Sequence, residues 1–435
     1  MKLKPYPECK DSGIKWIGEI PEGWEIHRLK FLLSSLESGS RETGGGSQLD
    51  EGVFSLGGEH INWNGTLNLE NPKLISEKYY NTMNQGKLKT NDVLLVKDGA
   101  TIGKTAILKQ MDYEKMAVNE HVFLMRPNRR IKPKLLYYLI CGDSGFRQIK
   151  LTETGSAQGG VNQDFKGVVS FTISPEMKEQ DILINFLDKK TAKIDTLIEK
   201  DKKLIELLKE KRTALINHAV TKGLDQNAKL KDSGIPWIGK IPEGWEVHRF
   251  KFKETVIMGQ SPDSESYNYE YNGYPFLQGN AEFSGIHPNP SIWCNVANKH
   301  ALKNDILLSV RAPIGAINIA DQKYGIGRGL CAIRVKTNNL KYIFYQLITC
   351  VDYLNSIGTG STYTAISTED VMNLPILYPP LPEQTTIANY LDKTTARIDK
   401  NIEKIEKKIK LLEEYKKSLI HHVVTGKVDV RGVEA

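Results

Sequence analysis

Residues 179–225 and 383–429 of this chain are two copies of one charged segment, each carrying an apolar residue every three or four positions. In the first copy the apolar series is Leu187, Ile194, Ile198, Ile205, Leu208 and Leu215. In the second it is Leu391, Ile398, Ile402, Ile405, Ile409, Leu412, Leu419 and Val423. Steps of three and four, or their sum, form the helix–helix seam of a coiled coil. The intervening Lys and Glu residues are good helix formers that solvate the outer face, and no proline interrupts either copy. Each copy therefore reads as a helix of about 40 residues, roughly 60 Å long. A helix of that kind has no interior of its own, so the rest of the chain must fold into separate bodies that the pair joins.

The duplication extends upstream. The segment DSGIKWIGEIPEGWEIHRLK at 11–30 returns at 232–251 as DSGIPWIGKIPEGWEVHRFK, changed only at Lys15/Pro236, Glu19/Lys240, Ile26/Val247 and Leu29/Phe250. Trp16 and Trp24, and again Trp237 and Trp245, flank an Ile-Pro-Glu-Gly turn, which reads as packing that fixes where the chain enters each domain. From 31 to 178 and from 252 to 382, short apolar runs separated by Gly, Asn, Asp and Pro read as strands and loops. One helix is expected in each stretch, at Pro133–Ile149 and Leu340–Ile357. The offset between copies shrinks from 221 (11 to 232) to 213 (91 to 304) and 204 (179 to 383), so insertions lie inside these domains. The scaffold was kept while the heads diverged.

The expected fold is α/β (α+β), with globular heads at 1–178 and 232–382. Spacer helices follow at 179–222 and 383–426, a linker spans 223–231, and a tail spans 427–435. The second head connects the end of the first helix to the start of the second, so helices packed along their length must run antiparallel about a pseudo-twofold axis. In that arrangement both heads can face one side.

Enzyme chemistry finds little support. Gly99-Ala-Thr-Ile-Gly103-Lys104-Thr105 has three residues between its glycines where a phosphate-binding loop needs four, and it reads as a hairpin turn between VLLV and TAIL. Gly325-Ile-Gly-Arg-Gly329 lacks the strand–turn–helix setting of a dinucleotide fingerprint. Tyr378-Pro-Pro-Leu381 is not the Asn- or Asp-Pro-Pro-aromatic motif of an adenine methyltransferase. Five scattered cysteines without a C-x-x-C pair and nine histidines without ligand spacing point to no metal site and no disulfide framework. No catalytic residue and no cofactor of the chain's own are expected. No run of 18 apolar residues and no apolar signal-peptide core occur, which gives the expectation of a cytoplasmic location. The formal charge of +7 is compatible with a polyanionic partner.

The heads offer polar and basic loop residues instead. In the first they are Lys97, Lys104, Arg147, Gln158, Asn162, Gln163 and Lys166; in the second, Arg311, Arg328, Thr362 and Tyr363. Arg and Lys neutralise phosphates or reach guanine edges, while Asn and Gln pair bidentately with adenine. The Ser38–Ser47 segment, rich in glycine, is expected to be a loop that orders on a partner.

Two divergent heads on a duplicated spacer suit a ruler that reads two short sequences a fixed distance apart. The chain resembles the specificity (S) subunits of type I restriction-modification systems. The resemblance rests on the paired W-I-G-x-I-P-E-G-W-E segments and on Gly259-Gln-Ser-Pro262 followed by Tyr274-Pro-Phe-Leu-Gln-Gly-Asn280. It rests also on Asn304-Asp-Ile-Leu-Leu-Ser-Val-Arg-Ala-Pro-Ile-Gly315 and on Pro379-Pro-Leu-Pro-Glu-Gln384 leading to Leu391-Asp392. The first half departs from it: Ser174-Pro-Glu-Met-Lys-Glu-Gln180 lacks the double proline, and Val96-Lys-Asp-Gly stands opposite Val310-Arg-Ala-Pro. The resemblance implies a non-catalytic subunit whose two target recognition domains read the halves of a bipartite site in double-stranded DNA. It implies partners too: two modification (M) subunits that bind S-adenosylmethionine, and restriction (R) subunits that use ATP and Mg. Two rivals are an interaction protein whose heads bind protein or sugar, and a chain that is itself a methyltransferase or nuclease.

Overall fold

A computed structural model of the chain describes residues 3–14, 17–42, 49–155, 159–358 and 364–433. The chain divides into two compact units, Met1–Asp201 with Lys407–Ala435, and Lys202–Glu406. Both divisions fall inside the two long helices, Met177–Lys222 and Leu381–Val424. Each unit thus owns one half of each helix.

Unit 1 is built on a four-stranded antiparallel sheet in the order Leu33–Ser38, Val122–Pro127, Val93–Val96, Thr105–Ile107. A second sheet joins Leu74–Ile75, Val53–Leu56 and Met116–Val118, with the last two parallel. Unit 2 repeats the first sheet with Thr255–Met258, Leu330–Arg334, Ile306–Ser309 and Ile317–Ile319. Its second sheet has grown to five strands and includes the parallel pair Tyr274–Leu277 and Tyr324–Ile326. The central strands Val93–Val96 and Ile306–Ser309 are buried throughout, which is why they read as unbroken apolar runs rather than alternating ones.

The turn before each central strand is held by one repeated device. Asn91 and Asn304 adopt φ of 74° and 70°, the left-handed region that asparagine tolerates. The next residue, Asp92 or Asp305, is buried and grips an arginine of the neighbouring strand through both carboxylate oxygens. Arg126 donates to Asp92 at 2.8 and 2.9 Å, and Arg334 to Asp305 at 3.0 and 2.8 Å. Bidentate geometry of this kind fixes strand position as well as charge.

Where one helix was expected in each head, two form. Pro133–Cys141 and Asp143–Leu151 are separated at Gly142, which is extended at φ −65°, ψ 156°. Leu340–Thr349 and Val351–Ile357 are separated at Cys350. An added Cβ at Gly142 would sit 2.9 Å from the Tyr138 carbonyl, so the break needs glycine there.

In unit 1 the helix halves run antiparallel, with Lys416 paired to Asp195 at 2.6 Å and Lys408 to Asp201 at 2.9 Å. In unit 2 Arg212 pairs with Asp399 at 3.0 Å. Leu187, Ile194, Ile198 and Leu419 are buried in unit 1, where Ile409 and Leu412 are half-buried. Leu391, Ile398 and Ile402 are buried in unit 2, and Ile205, Leu208, Leu215 and Ile405 are half-buried. Polar residues share the apolar face: Asp201 is 7% exposed, and Thr191 and Thr395 are buried and return their hydroxyls to the Leu187 and Leu391 carbonyls four residues earlier.

Each head is seated on the start of its own long helix. Trp24 Nε1 donates to Glu179 at 3.2 Å, and Trp245 Nε1 donates to Glu383 at 3.1 Å. The following glutamines, Gln180 and Gln384, are 0% and 2% exposed. Their side-chain oxygens accept from the Lys132 and Asn339 N–H groups, and their amides donate to Ser174 and Pro379 carbonyls. Tyr138 and Tyr345 then donate to Asp188 and Asp392, a little over two turns further on. The Glu-Gln pair is therefore the joint between head and helix. The first half keeps it although the double proline is missing.

Candidate nucleic-acid interface

In unit 2 the motifs that are far apart in sequence meet at one cleft of about 210 Å³, lined by Gln278, Gly279, Asn280, Ser309, Arg311, Ala312, Arg328 and Gly329. Close backbone contact brings them together. An added Cβ on Gly259 would lie 2.1 Å from the Gly327 carbonyl oxygen, and one on Gly329 would lie 2.5 Å from the Gln278 carbonyl oxygen. Gly329 N–H donates to that same Gln278 carbonyl at 3.2 Å. The glycines of Gly325–Gly329 thus serve strand contact rather than phosphate binding.

Arg311 lies on the turn after Ile306–Ser309. The buried Ser309 hydroxyl is 2.9 Å from the carbonyls of both Arg311 and Pro313, and Ala312 N–H donates to Thr364 at 3.1 Å. Arg328 sits between two glycines, and its N–H donates to Ser261 Oγ at 3.2 Å. Both side chains are exposed, and neither guanidinium has a partner among the described residues. Burial pushes the nearby Tyr267 hydroxyl up, opposed by a Ser261 hydrogen bond and by the Arg328 charge. The turns are fixed by backbone contacts, and the two charged ends extend from them into solvent.

Unit 1 builds the same turn with different chemistry. Lys97 N–H donates to the His121 carbonyl at 3.0 Å, as Val310 N–H does to Gly329 at 3.0 Å. Asp98 pairs across to Gly160 as Arg311 does to Ala365. Asp98 is therefore the counterpart of Arg311, and Glu120 of Arg328; the motif alignment, which set Lys97 opposite Arg311, is off by one residue because Lys97 matches Val310 in register. The carboxylates are occupied: His121 Nδ1 lies 2.7 Å from Asp98, and Arg41 Nε lies 2.8 Å from Glu120. At both positions the charge is opposite to that in unit 2.

Of the residues singled out in the sequence, Arg311 and Arg328 are brought to one cleft. Lys97 and Lys104 lie at the two ends of one hairpin turn, with Leu95 paired to Thr105; Lys97 Nζ rests 5.1 Å from the Phe123 ring centre. Asn162 and Gln163 are exposed on the loop that follows Val161, whose N–H binds the Lys97 carbonyl, and Lys166 is half-buried on the short helix after it. Arg147 is paired with Asp143 at 2.8 Å on its own helix. Gln158, Thr362 and Tyr363, with Trp16 and residues 43–47 of the glycine-rich stretch, lie outside the described residues. Gln278, Asn280 and Ser309 were missed, though all three stand in motifs that carry the family resemblance. Their convergence on Arg328 depends on pairing between strands some 50 residues apart in the chain, which no local pattern carries.

Among the described residues, no group of His, Cys, Asp and Glu could hold a metal ion, and no helix is long and apolar enough to cross a membrane.

The fold and the site define a class: an internally duplicated α/β protein whose two heads share a scaffold, each seated on a long helix, with unlike charge at equivalent turn positions. The family model for the type I restriction modification DNA specificity domain matches residues 242–411. A Methanocaldococcus jannaschii protein named as the MjaX specificity subunit of a type I restriction enzyme is 32% identical, over 95% of this chain and 96% of its own length. The MjaVIII specificity subunit of the same organism is 24% identical over 95% of each. Among solved structures, a chain described in work on complex assembly and conformational transition of the type I restriction-modification system is 25% identical. It has a TM-score of 0.74, covering 94% of this chain and 99% of that one. The HsdS subunit from Thermoanaerobacter tengcongensis shares the fold with a TM-score of 0.56. The chain belongs to the family of type I restriction-modification specificity subunits, and it carries that family's DNA-recognition domain.

Proposed function

We propose that each head reads one half of a bipartite site in double-stranded DNA, and that the long helices set the separation and dock methyltransferase subunits. The observation that carries this reading is the duplicated scaffold with inverted charge at equivalent positions, Arg311 and Arg328 against Asp98 and Glu120. A protein that bound one ligand twice would have no need to differ there. The helices support the docking role through apolar side chains left in water: Leu197, Leu411 and Tyr415 are 43, 56 and 56% exposed on the unit 1 halves. Leu411 and Tyr415 stand one turn apart on the same helix, and contiguous exposed apolar side chains of this kind mark a partner surface. In this reading the chain performs no chemistry of its own, and methyl transfer belongs to the M subunits with S-adenosylmethionine.

The deciding experiment is single-molecule sequencing of DNA from a methylation-free host that expresses this chain with its M subunit, scoring N6-methyladenine. A split motif with a fixed gap is expected. Absence of any split motif from an active complex overturns the reading. The ruler is tested by removing seven residues from each helix, about 10 Å of rise. The gap should shorten while both half-sites persist, and an unchanged gap refutes the ruler.

A further inference from the structure

We infer that Arg311 and Arg328 read a guanine in the half-site bound by unit 2, and that the half-site bound by unit 1 has no guanine read from the equivalent position. This rests on the bipartite reading above and extends it to the identity of a base.

The sign inversion is the first argument. The phosphate backbone is uniformly anionic in any DNA. A position that clamped phosphates would keep its positive charge in both copies of a duplicated reader. A position that changes from arginine to carboxylate between copies follows what differs between the half-sites, and that is the base edges. Guanine presents two acceptors, O6 and N7, in the major groove. The guanidinium fork matches both, whereas the Asp98 and Glu120 carboxylates are acceptors themselves and match neither.

Geometry is the second argument. Phosphate clamping tolerates a flexible point charge, but bidentate base reading needs a fork on a fixed base. Arg328 is held between Gly327 and Gly329, where an added Cβ would lie 3.1 Å and 2.5 Å from the Gln278 backbone, and its own N–H is tied to Ser261. Arg311 is fixed through Ser309 and Ala312. The cleft that both line is lined also by Gln278 and Asn280, residue types whose amides carry acceptors as well as donors. A phosphate site calls for donors alone; a base-pair edge calls for both.

The test uses the complex of the full chain with its M subunits, selected against a random duplex library at two salt concentrations. It compares the unaltered complex with R311K, R328K and R328A. The unaltered complex should return a split motif with a G·C pair in the half-site that changes when unit 2 is exchanged. Each Arg→Lys variant keeps the charge and replaces the planar fork by a point charge that still reaches guanine acceptors, so it should retain overall affinity with a weaker preference at that pair, whereas removing the side chain should cost roughly 10- to 100-fold in preference there. R328A should relax the same pair. The other half-site should be unaffected in every variant. An R328A complex that keeps full guanine preference overturns the inference. So does an R328A effect spread evenly over all sequences with a salt slope about one unit shallower, which marks a phosphate contact. These outcomes presuppose a split motif for the unaltered complex; its absence refutes the bipartite reading, and this inference falls with it. Both arginines are exposed and have no partner among the described residues, so melting curves of the variants should match the parent and exclude misfolding as the cause.

Discussion

Replacing Trp24 by Phe should loosen the seating of the unit 1 head on its helix. Trp24 is 2% exposed and its Nε1 donates to Glu179 at 3.2 Å. Glu179 is itself only 9% exposed and also accepts from the Tyr6 hydroxyl at 2.9 Å. Phenylalanine keeps an aromatic ring but removes the only N–H that the indole offers. A hydrogen bond to a charged group contributes about 1.5–3 kcal/mol, and the smaller ring forfeits about 1 kcal/mol of buried apolar surface. The expected loss is therefore about 2.5–4 kcal/mol, which lowers the melting temperature of a unit of this size by roughly 5–15 °C. Calorimetry gives the shift, and hydrogen exchange assigns it, with unit 1 peptides affected before those of unit 2. Trp245→Phe, through Glu383, should do the reverse. A double-mutant cycle of Trp24→Phe with Glu179→Gln isolates the pair and should give a coupling of at least about 1 kcal/mol. A loss under 1 kcal/mol with no coupling would refute the bond and leave Trp24 as packing alone.

Gly329→Ala places a Cβ 2.5 Å from the Gln278 carbonyl, so the cleft must open. Selectivity at the unit 2 half-site should fall at least tenfold in library selection, at a stability cost of about 1–3 kcal/mol. Glu282 is raised above 4.5 by burial, and its Oε2 has no hydrogen-bond partner among the described residues. A carboxyl raised in the folded state supports folding below that ordinary value, and the support is lost as pH rises through the folded value. Glu282→Gln should remove this loss, so urea midpoints of the variant should exceed those of the parent at pH 7 and converge with them near pH 4. Lys416→Ala breaks a pair whose carboxylate, Asp195, is 47% exposed, and denaturant titration should find a change under about 1 kcal/mol, smaller still in high salt.

The contrast between sequence and structure is clearest at particular residues. The heptad residues announced the long helices because periodic burial on one face is written locally, at spacings of three and four. The duplicated tryptophan segment announced two heads for the same reason. The helix expected at 133–149 and at 340–357 formed as two in each head, since a break at Gly142 or Cys350 leaves the apolar pattern unbroken. The Glu-Gln joint stood in a quoted motif, but its work was invisible: Glu179 meets Trp24 across 155 residues, and Glu383 meets Trp245 across 138. By itself the sequence determined that the chain is a duplicated pair of heads on antiparallel helices, because repeats and periodicity are properties of neighbours in the chain. Only the tertiary structure decided that Arg311 and Arg328 share a cleft and that Asp98 and Glu120 occupy the same places in unit 1. Strand register sets those positions, and register is a relation between segments that the chain brings together only by folding.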